Sequence, residues 1–434
     1  MAETIRVEHL ARVEGHGGIT VELDGDTIGS VRFDIFEGLR LLETMVRGRS
    51  YEDVAGVASR VCAICSVAHS LTSLKATETA FGIQVSPQTA LLRQLLFRGE
   101  NIQSHALHLF LLAVPDYLDY PGAAALARDR ADLVMLGLHL KKLGNSIQES
   151  IGGRAVHPVN VAVGGFGKVP DADQLIALRH GLLDARKDCQ TVIDLVASLP
   201  SADHCRCDTV FAALRSPGEY GYYAGEEITV ISNGTRETIP VSEYRSLTNE
   251  KAVLHSHAKH SAFRGEPFMV GALARLAANS DLLDGSAGGF AERLGLALPS
   301  RNPMDNNKAQ AVELVYDVEC ALRDVERLLD EGPRPEPPVA VRPRAGAGTA
   351  ATEAPRGLLF HSYTYDQQGL LASADVITPT AQNAASIENH LRHTVAQSRQ
   401  IDAPSLTKKL EMVVRAYDPC ISCSVHLVRK RHAV

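Results

Sequence analysis

The chain has 434 residues, 45% hydrophobic and 22% charged, the range of an ordinary globular protein and outside that of disordered or membrane-embedded chains. Lysine and arginine total 44 against 51 aspartates and glutamates, a net charge of −7, which argues against a polyanion-binding surface, so no nucleic-acid contact is expected. No apolar run approaches the roughly 20 residues of a membrane helix. The start, MAETIRVEHL, lacks a signal-peptide pattern, so a cytoplasmic protein without direct membrane insertion is expected.

In chain order, Ile19, Val21 and Leu23 alternate up to Asp24-Gly25-Asp26, and Val31, Phe33 and Ile35 alternate after it, which predicts a β-hairpin. From about Tyr51 the pattern turns helical. Leu133, Leu136, Leu140, Leu143 and Ile147 recur at steps of three and four, as do Leu175, Leu178, Leu182, Ala185, Cys189, Val192 and Val196, predicting two long amphipathic helices. Between them GGRAVHPVNVAVGGFGKVP reads as a compact ordered loop, with Gly152-Gly153 ending the first helix. Apolar alternation on both sides of Asn233-Gly234 predicts a second hairpin within 226–241. A third long helix runs from about Asn307 to Leu329, with Leu314, Val318, Ala321, Val325 and Leu328 on one stripe. Residues 331–352, rich in proline and glycine, read as an exposed connection. With no tryptophan and 5% aromatics, the core must be filled by Leu, Val, Ile and Ala. The expected fold is therefore mainly α with small β additions (α+β), one body over 1–434 with a long central helix bundle and an N-terminal hairpin.

The eight cysteines are Cys62, Cys65, Cys189, Cys205, Cys207, Cys320, Cys420 and Cys423. Four of them form two Cys-x-x-Cys pairs almost the length of the chain apart, Cys62/Cys65 followed by His69, and Cys420/Cys423 followed by His426. A two-residue gap lets both sulfurs of a pair reach one ion, and thiolates favour soft or borderline metals. Three readings stay open on spacing alone: a four-cysteine zinc site, unpaired core thiols, or a redox or catalytic metal centre. The wide separation of the pairs means that the fold must exist before the site does, which suits a buried functional centre better than a staple closing a small loop. His105 and His108, three apart on a predicted helix, and Cys189, on an apolar stripe, read as packing residues. Cys205-Arg206-Cys207, beside His204, has no evident partner in the sequence.

Six blocks in order, RVEGH at Arg12–His16, RVCAICSVAH, GGRAVHP with VGGF, EAPRG at Glu353–Gly357, TPTAQN from Thr378, and DPCISCSVH, resemble the large, catalytic subunit of nickel-iron hydrogenases along nearly the whole chain. The wording is most similar to the cytoplasmic, NAD(P)-linked bidirectional or sulfhydrogenase branch. The resemblance implies a mainly helical fold and the reaction H₂ ⇌ 2H⁺ + 2e⁻. It implies nickel held by Cys62, Cys65, Cys420 and Cys423, with Cys65 and Cys423 bridging to an iron that carries carbon monoxide and cyanide. Heterolytic cleavage needs a Lewis-acid metal and a base beside it, and a terminal thiolate can be that base.

On the same resemblance, Glu14 takes the proton onward from Cys420. Arg356 overhangs the metals near Asp418, and Pro355, Leu359, Pro379 and Thr380 line the pocket of the diatomic ligands. His69 hydrogen-bonds a bridging sulfur, and Glu43 with His426 holds magnesium. Read without the family, Glu14 would be a solvated strand carboxylate, Arg356 a loop cation and Asp418 an Asp-Pro turn starter.

The implied partners are a small subunit with iron-sulfur clusters, flavin and iron-sulfur subunits reaching NAD(P), and a maturation endopeptidase that removes residues 427–434 after His426. Electrons must leave through a partner, because the four remaining cysteines lack iron-sulfur cluster spacing. Ala63 replaces a common family glycine, and Ser104 stands where some membrane-bound relatives carry an aspartate. The rival readings are a metal-free, hydrogenase-derived scaffold or quinone-site subunit, which retention of all four cysteines disfavours, and a zinc-stabilised structural protein.

Overall fold

The computed structural model describes residues 2–25, 27–38, 41–215, 218, 220–398 and 400–425. The expected magnesium ligand His426 and the extension 427–434 lie outside the described residues.

The three long amphipathic stretches are helices, Ala131–Gly152, Ala172–Ser198 and Asn306–Glu331, and each buries its predicted stripe apart from the half-buried Leu136. Asp171 opens the second through a reciprocal capping box with Gln174, and Gly153, left-handed at φ 79°, closes the first. A fourth helix, Pro87–Ala106, packs between Ala131–Gly152 and Asn306–Glu331. A Cβ on Gly144 would lie 2.5 Å from the Gly99 carbonyl oxygen and 2.6 Å from the Gln103 nitrogen, so the first and fourth helices cross backbone to backbone.

At the N-terminus the expected hairpin is the inner part of a three-stranded antiparallel sheet, Ala2–Val7, Gly17–Asp24 and Thr27–Ile35. Ile19 pairs with Phe33 and Val21 with Val31, which puts the apolar residues of both strands on one buried face. That face meets the helix Pro379–Gln397, whose Glu388 Oε1 accepts from the Phe33 amide at 2.9 Å. The second hairpin, Glu227–Ser232 with Thr235–Pro240, turns on Asn233 (φ 50°) and Gly234 (φ 76°), the two left-handed residues of a type I′ turn.

The reading of 331–352 as one exposed connection is corrected. Only 332–345 lacks regular structure, and even there Glu336 accepts from Ser86 and Thr89, and the Val339 amide donates to the Gly164 carbonyl at 3.0 Å. From Gly346 the chain is a strand, Gly346–Ala354, that pairs with Gly357–Tyr365 and, through it, with Leu371–Ile377. The strand lies on the helix Ser66–Phe81. A Cβ on Gly348 would come within 2.2 Å of the Ala76 carbonyl oxygen. The glycines that suggest a linker are there because a helix backbone presses on them.

One buried cluster runs from Val7 to Val425 and includes all four paired cysteines. Three features bring the site residues together. The first cysteine pair precedes Ser66–Phe81, the second follows the helix Ala403–Ala416, and the segment after the first strand returns to lie beside the second pair.

Candidate active site

Cys62 follows the short turn Ser59–Val61, and Cys65 is the residue that starts the helix Ser66–Phe81. The loop containing GGRAVHP fixes this corner. His157, at φ 55°, places Nδ1 2.9 Å from the Ser59 carbonyl and donates its backbone N–H to Ser66 Oγ at 3.0 Å. Glu100 caps the helix by accepting from the Val67 and Ala68 amides at 2.7 and 2.9 Å, and burial raises its carboxyl to about 8. Gln103 Nε2 donates to the Ile64 carbonyl at 3.0 Å. His157 belongs to the GGRAVHP block, whereas Glu100 and Gln103 carry no signal in the sequence beyond helix spacing.

The second pair starts from Asp418, left-handed at φ 50°, which turns the chain so that Cys420 pairs with Glu14 in a parallel bridge. The Ile421 amide donates to the Glu14 carbonyl at 2.9 Å. This close approach explains the glycine of RVEGH: Gly15 sits at φ 89°, and a Cβ there would lie 2.8 Å from Ile421 Cβ and 2.9 Å from the Ser422 nitrogen. Thr380 Oγ1 accepts from the Cys420 amide at 2.9 Å.

The four sulfurs converge. Their atoms lie within 4.8 Å of one another, with Cys62 and Cys420 3.3 Å apart and Cys65 and Cys423 3.5 Å apart, and none of the four cysteines is more than 4% exposed. Cys62 Sγ also accepts from the Ile64 and Cys65 amides at 3.3 Å each. Burial opposes its ionisation, but hydrogen bonds from the other three sulfurs and the Arg356 charge outweigh that and hold Cys62 well below the ordinary thiol range. Burial raises Cys420 to about 11 and also raises Cys423, while the hydrogen bond with Cys420 raises Cys65. A metal bound by these sulfurs would displace their protons.

Glu14 meets this cluster from one side. Its Oε2 accepts from Cys420 Sγ at 3.2 Å and from the Ser422 amide at 3.1 Å, and its Oε1 accepts from Ser422 Oγ at 2.5 Å. Arg356 meets it from another. Nε donates to the Asp418 carbonyl at 2.7 Å and Nη2 to Asp418 Oδ1 at 2.9 Å, while Gln310 Nε2 holds Asp418 Oδ2 at 3.2 Å. Arg356 Nη1 is buried with no hydrogen-bond acceptor among the described residues. Beneath this loop a residue absent from the sequence reading, Arg275, donates to the Ala354 and Pro355 carbonyls and pairs with Glu313 and Glu353. Its only trace in the sequence is one arginine in the apolar run ALARLAAN.

Pro355, Leu359 and Pro379 are buried. His69 Nδ1 faces His361 Nε2 at 3.2 Å, and His361 Nδ1 faces the Tyr363 hydroxyl at 2.6 Å. Glu43, on the helical turn Leu42–Val46, is held above its ordinary value by burial, with Lys259 opposing and Asp375 adding to the shift. His105 and His108 are packing residues, bound to Glu313 and Gln310, and Cys189 is a core thiol. Ser104 is buried on Pro87–Ala106.

Four buried thiols from opposite ends of a chain, with a carboxylate on one and a guanidinium nitrogen that has no acceptor among the described residues, form a donor set for a soft or borderline metal centre. The family described as nickel-dependent hydrogenase matches residues 40–136 and 214–426, and a HoxL-like family matches residues 4–37. The chain belongs to the nickel-dependent hydrogenase family. It is a large, alpha-type subunit, an oxidoreductase acting on H₂. Sulfhydrogenase 1 subunit alpha of Pyrococcus furiosus is 39% identical over 428 residues, covering 98% of each chain, and sulfhydrogenase 2 subunit alpha of the same organism is 36% identical over 426 residues, covering 98% of this chain and 99% of the relative. A solved NAD⁺-reducing NiFe-hydrogenase in the H₂-reduced state has a TM-score of 0.88 at 26% identity, covering 98% of this chain and 99% of its own. The NiFeSe hydrogenase of Desulfovibrio vulgaris Hildenborough shares the fold, with a TM-score of 0.80 at 20% identity over 98% of this chain and 100% of its own. Membership of this hydrogenase family, with all four cysteines gathered, disfavours the scaffold reading.

Proposed function

We propose that Cys62, Cys65, Cys420 and Cys423 hold the nickel of this hydrogenase, that Cys65 and Cys423 share it with an iron carrying carbon monoxide and cyanide, and that Glu14 is the first proton carrier. The observation that supports this reading most is the convergence of the four sulfurs with a carboxylate on Cys420 alone. When bound, the dinuclear group supplies a Lewis-acid centre at which H₂ is polarised and from which two electrons depart. The protein's own part is proton handling and enclosure. Cys420 Sγ takes up the proton and Glu14 Oε2, already its acceptor, receives it, while Ser422 keeps the carboxylate oriented. Arg356, fixed by Asp418, would offer its remaining Nη1 donor to an anionic ligand of the iron, and the buried Pro355, Leu359, Pro379 and Thr380 would keep water away from the group.

Large subunits of this family pair with a small iron-sulfur subunit. The reading extends to an electron route through that subunit to flavin and iron-sulfur subunits reaching NAD(P), supported by the likeness to an NAD⁺-reducing enzyme. Among the described residues no second four-cysteine group exists to hold a cluster within this chain. The reading also includes magnesium at Glu43 and His426, a hydrogen bond from His69 to a bridging sulfur, and removal of 427–434 by an endopeptidase. Elemental analysis with infrared spectroscopy tests the core of it. Nickel is expected together with iron and with carbonyl and cyanide bands; zinc alone, or no metal, would overturn it.

A further inference from the structure

The cysteines without a partner in the sequence have one in the fold. Cys205 and Cys207 lie in the irregular segment 200–209, which packs on the helix Pro379–Gln397 at His390. All three side chains are buried, and a ligand atom of each lies within 4.8 Å of the other two. Donor atoms around a tetrahedral ion stand about 3–4 Å apart when metal–sulfur bonds are about 2.3 Å and metal–nitrogen bonds about 2.0 Å, so a small closure of this group completes the geometry. The His390 ring is oriented as a ligand's would be. Its Nδ1 meets the Tyr417 hydroxyl, itself 2.9 Å from Ser386 Oγ, which leaves Nε2 to an ion that would replace its 3.1 Å contact with Thr209 Oγ1.

We propose that Cys205, Cys207 and His390 form a second metal site, a Cys₂His centre for zinc, separate from the Cys62, Cys65, Cys420 and Cys423 cluster. Two thiolates and a neutral imidazole suit a borderline ion and leave hard cations without their oxygen ligands. The described residues offer no fourth His, Cys, Asp or Glu within the group, which leaves that position to water. The ion ties 200–209 to the helix that carries Thr380 and, through the His390 contact with Tyr417, to the residue before Asp418. Its role is to brace the approach to the second cysteine pair.

Elemental analysis and zinc K-edge absorption on the purified full-length enzyme, as isolated and after EDTA treatment and Zn²⁺ re-addition, decide it. About one zinc per chain in a shell of two sulfurs and one imidazole is expected. Cys207→Ser should lose most of that zinc while nickel and iron remain, and the double replacement Cys62→Ser, Cys420→Ser should keep it while losing nickel. If Cys207→Ser does not fold, the wild-type shell alone gives the answer. No zinc after re-addition, a four-sulfur zinc shell, or a Cys205–Cys207 disulfide in unreduced peptides would overturn the site. Because nickel and zinc are read at separate edges, failure here leaves the hydrogenase reading intact, and the reverse also holds.

Discussion

The Cys420 thiol donates to Glu14 Oε2 across 3.2 Å, and the backbones of these two residues form a parallel bridge. One residue thus carries a sulfur of the cluster while its neighbour in space carries the carboxylate proposed to take its proton. Side chain and backbone register are set together, so the contact does not depend on a free rotamer.

Glu14→Gln should leave the centre assembled, because the amide oxygen can still accept from the Ser422 amide. It removes the titrating oxygen, and H/D exchange and turnover should fall by about 10²–10⁴-fold with infrared bands unchanged. Wild-type exchange rates in this variant would reject Glu14 as the carrier.

Gly15→Ala tests the register itself. The new Cβ would fall 2.8 Å from Ile421 Cβ at a φ of 89°, forcing the N-terminal segment away from the cysteine loop. A stability loss of about 1–3 kcal/mol is expected. Turnover should fall with it, read by thermal melts alongside H₂-dependent dye reduction, and a variant with wild-type values in both would show that the contact is not needed.

Arg356→Leu leaves Asp418 buried without its cation and should cost about 3–5 kcal/mol. Arg356→Lys keeps a charge but cannot supply the fork that spans the Asp418 carbonyl, its carboxylate and a third acceptor. Its melting point should drop less while its activity drops as far, a split that denaturation and turnover assays on the two variants would reveal.

Asp317 gives a pH test away from the metals. Burial raises its carboxyl from 3.8 to about 8, with Arg98 opposing and Glu313 adding to the shift. The folded protein therefore holds a proton that the unfolded chain releases between these values, so this group's contribution falls as pH rises through that window, by up to about 1.4 kcal/mol per pH unit. Asp317→Asn keeps the Oδ1 acceptor for Arg98 and removes the titration. The stability of wild type relative to this variant should decline from pH 4 to 8 and then level; a flat difference would mean that Asp317 is ionised in the fold.

Much of this was legible in the sequence because helices and paired motifs repeat locally. The stripe from Leu175 to Val196 and the Asn233-Gly234 turn follow from spacing and turn chemistry alone. The two cysteine pairs were legible as a candidate metal centre, and the family resemblance supplied the roles proposed for Glu14 and Arg356. What could not be read were contacts made by distant segments. Gly346 and Gly348 look like linker residues until Ser66–Phe81 lies across them. Arg275 gives no hint of Glu313 and Glu353, and Cys205 none of His390, because each partner is brought in by the tertiary fold.

Nickel K-edge X-ray absorption on the purified enzyme tests the central claim most directly. The account predicts nickel bound by four sulfurs in the wild type, with Cys62→Ser removing one of them or preventing nickel insertion altogether. Nickel surrounded by nitrogen and oxygen, or a four-sulfur nickel shell unchanged in Cys62→Ser, would contradict it.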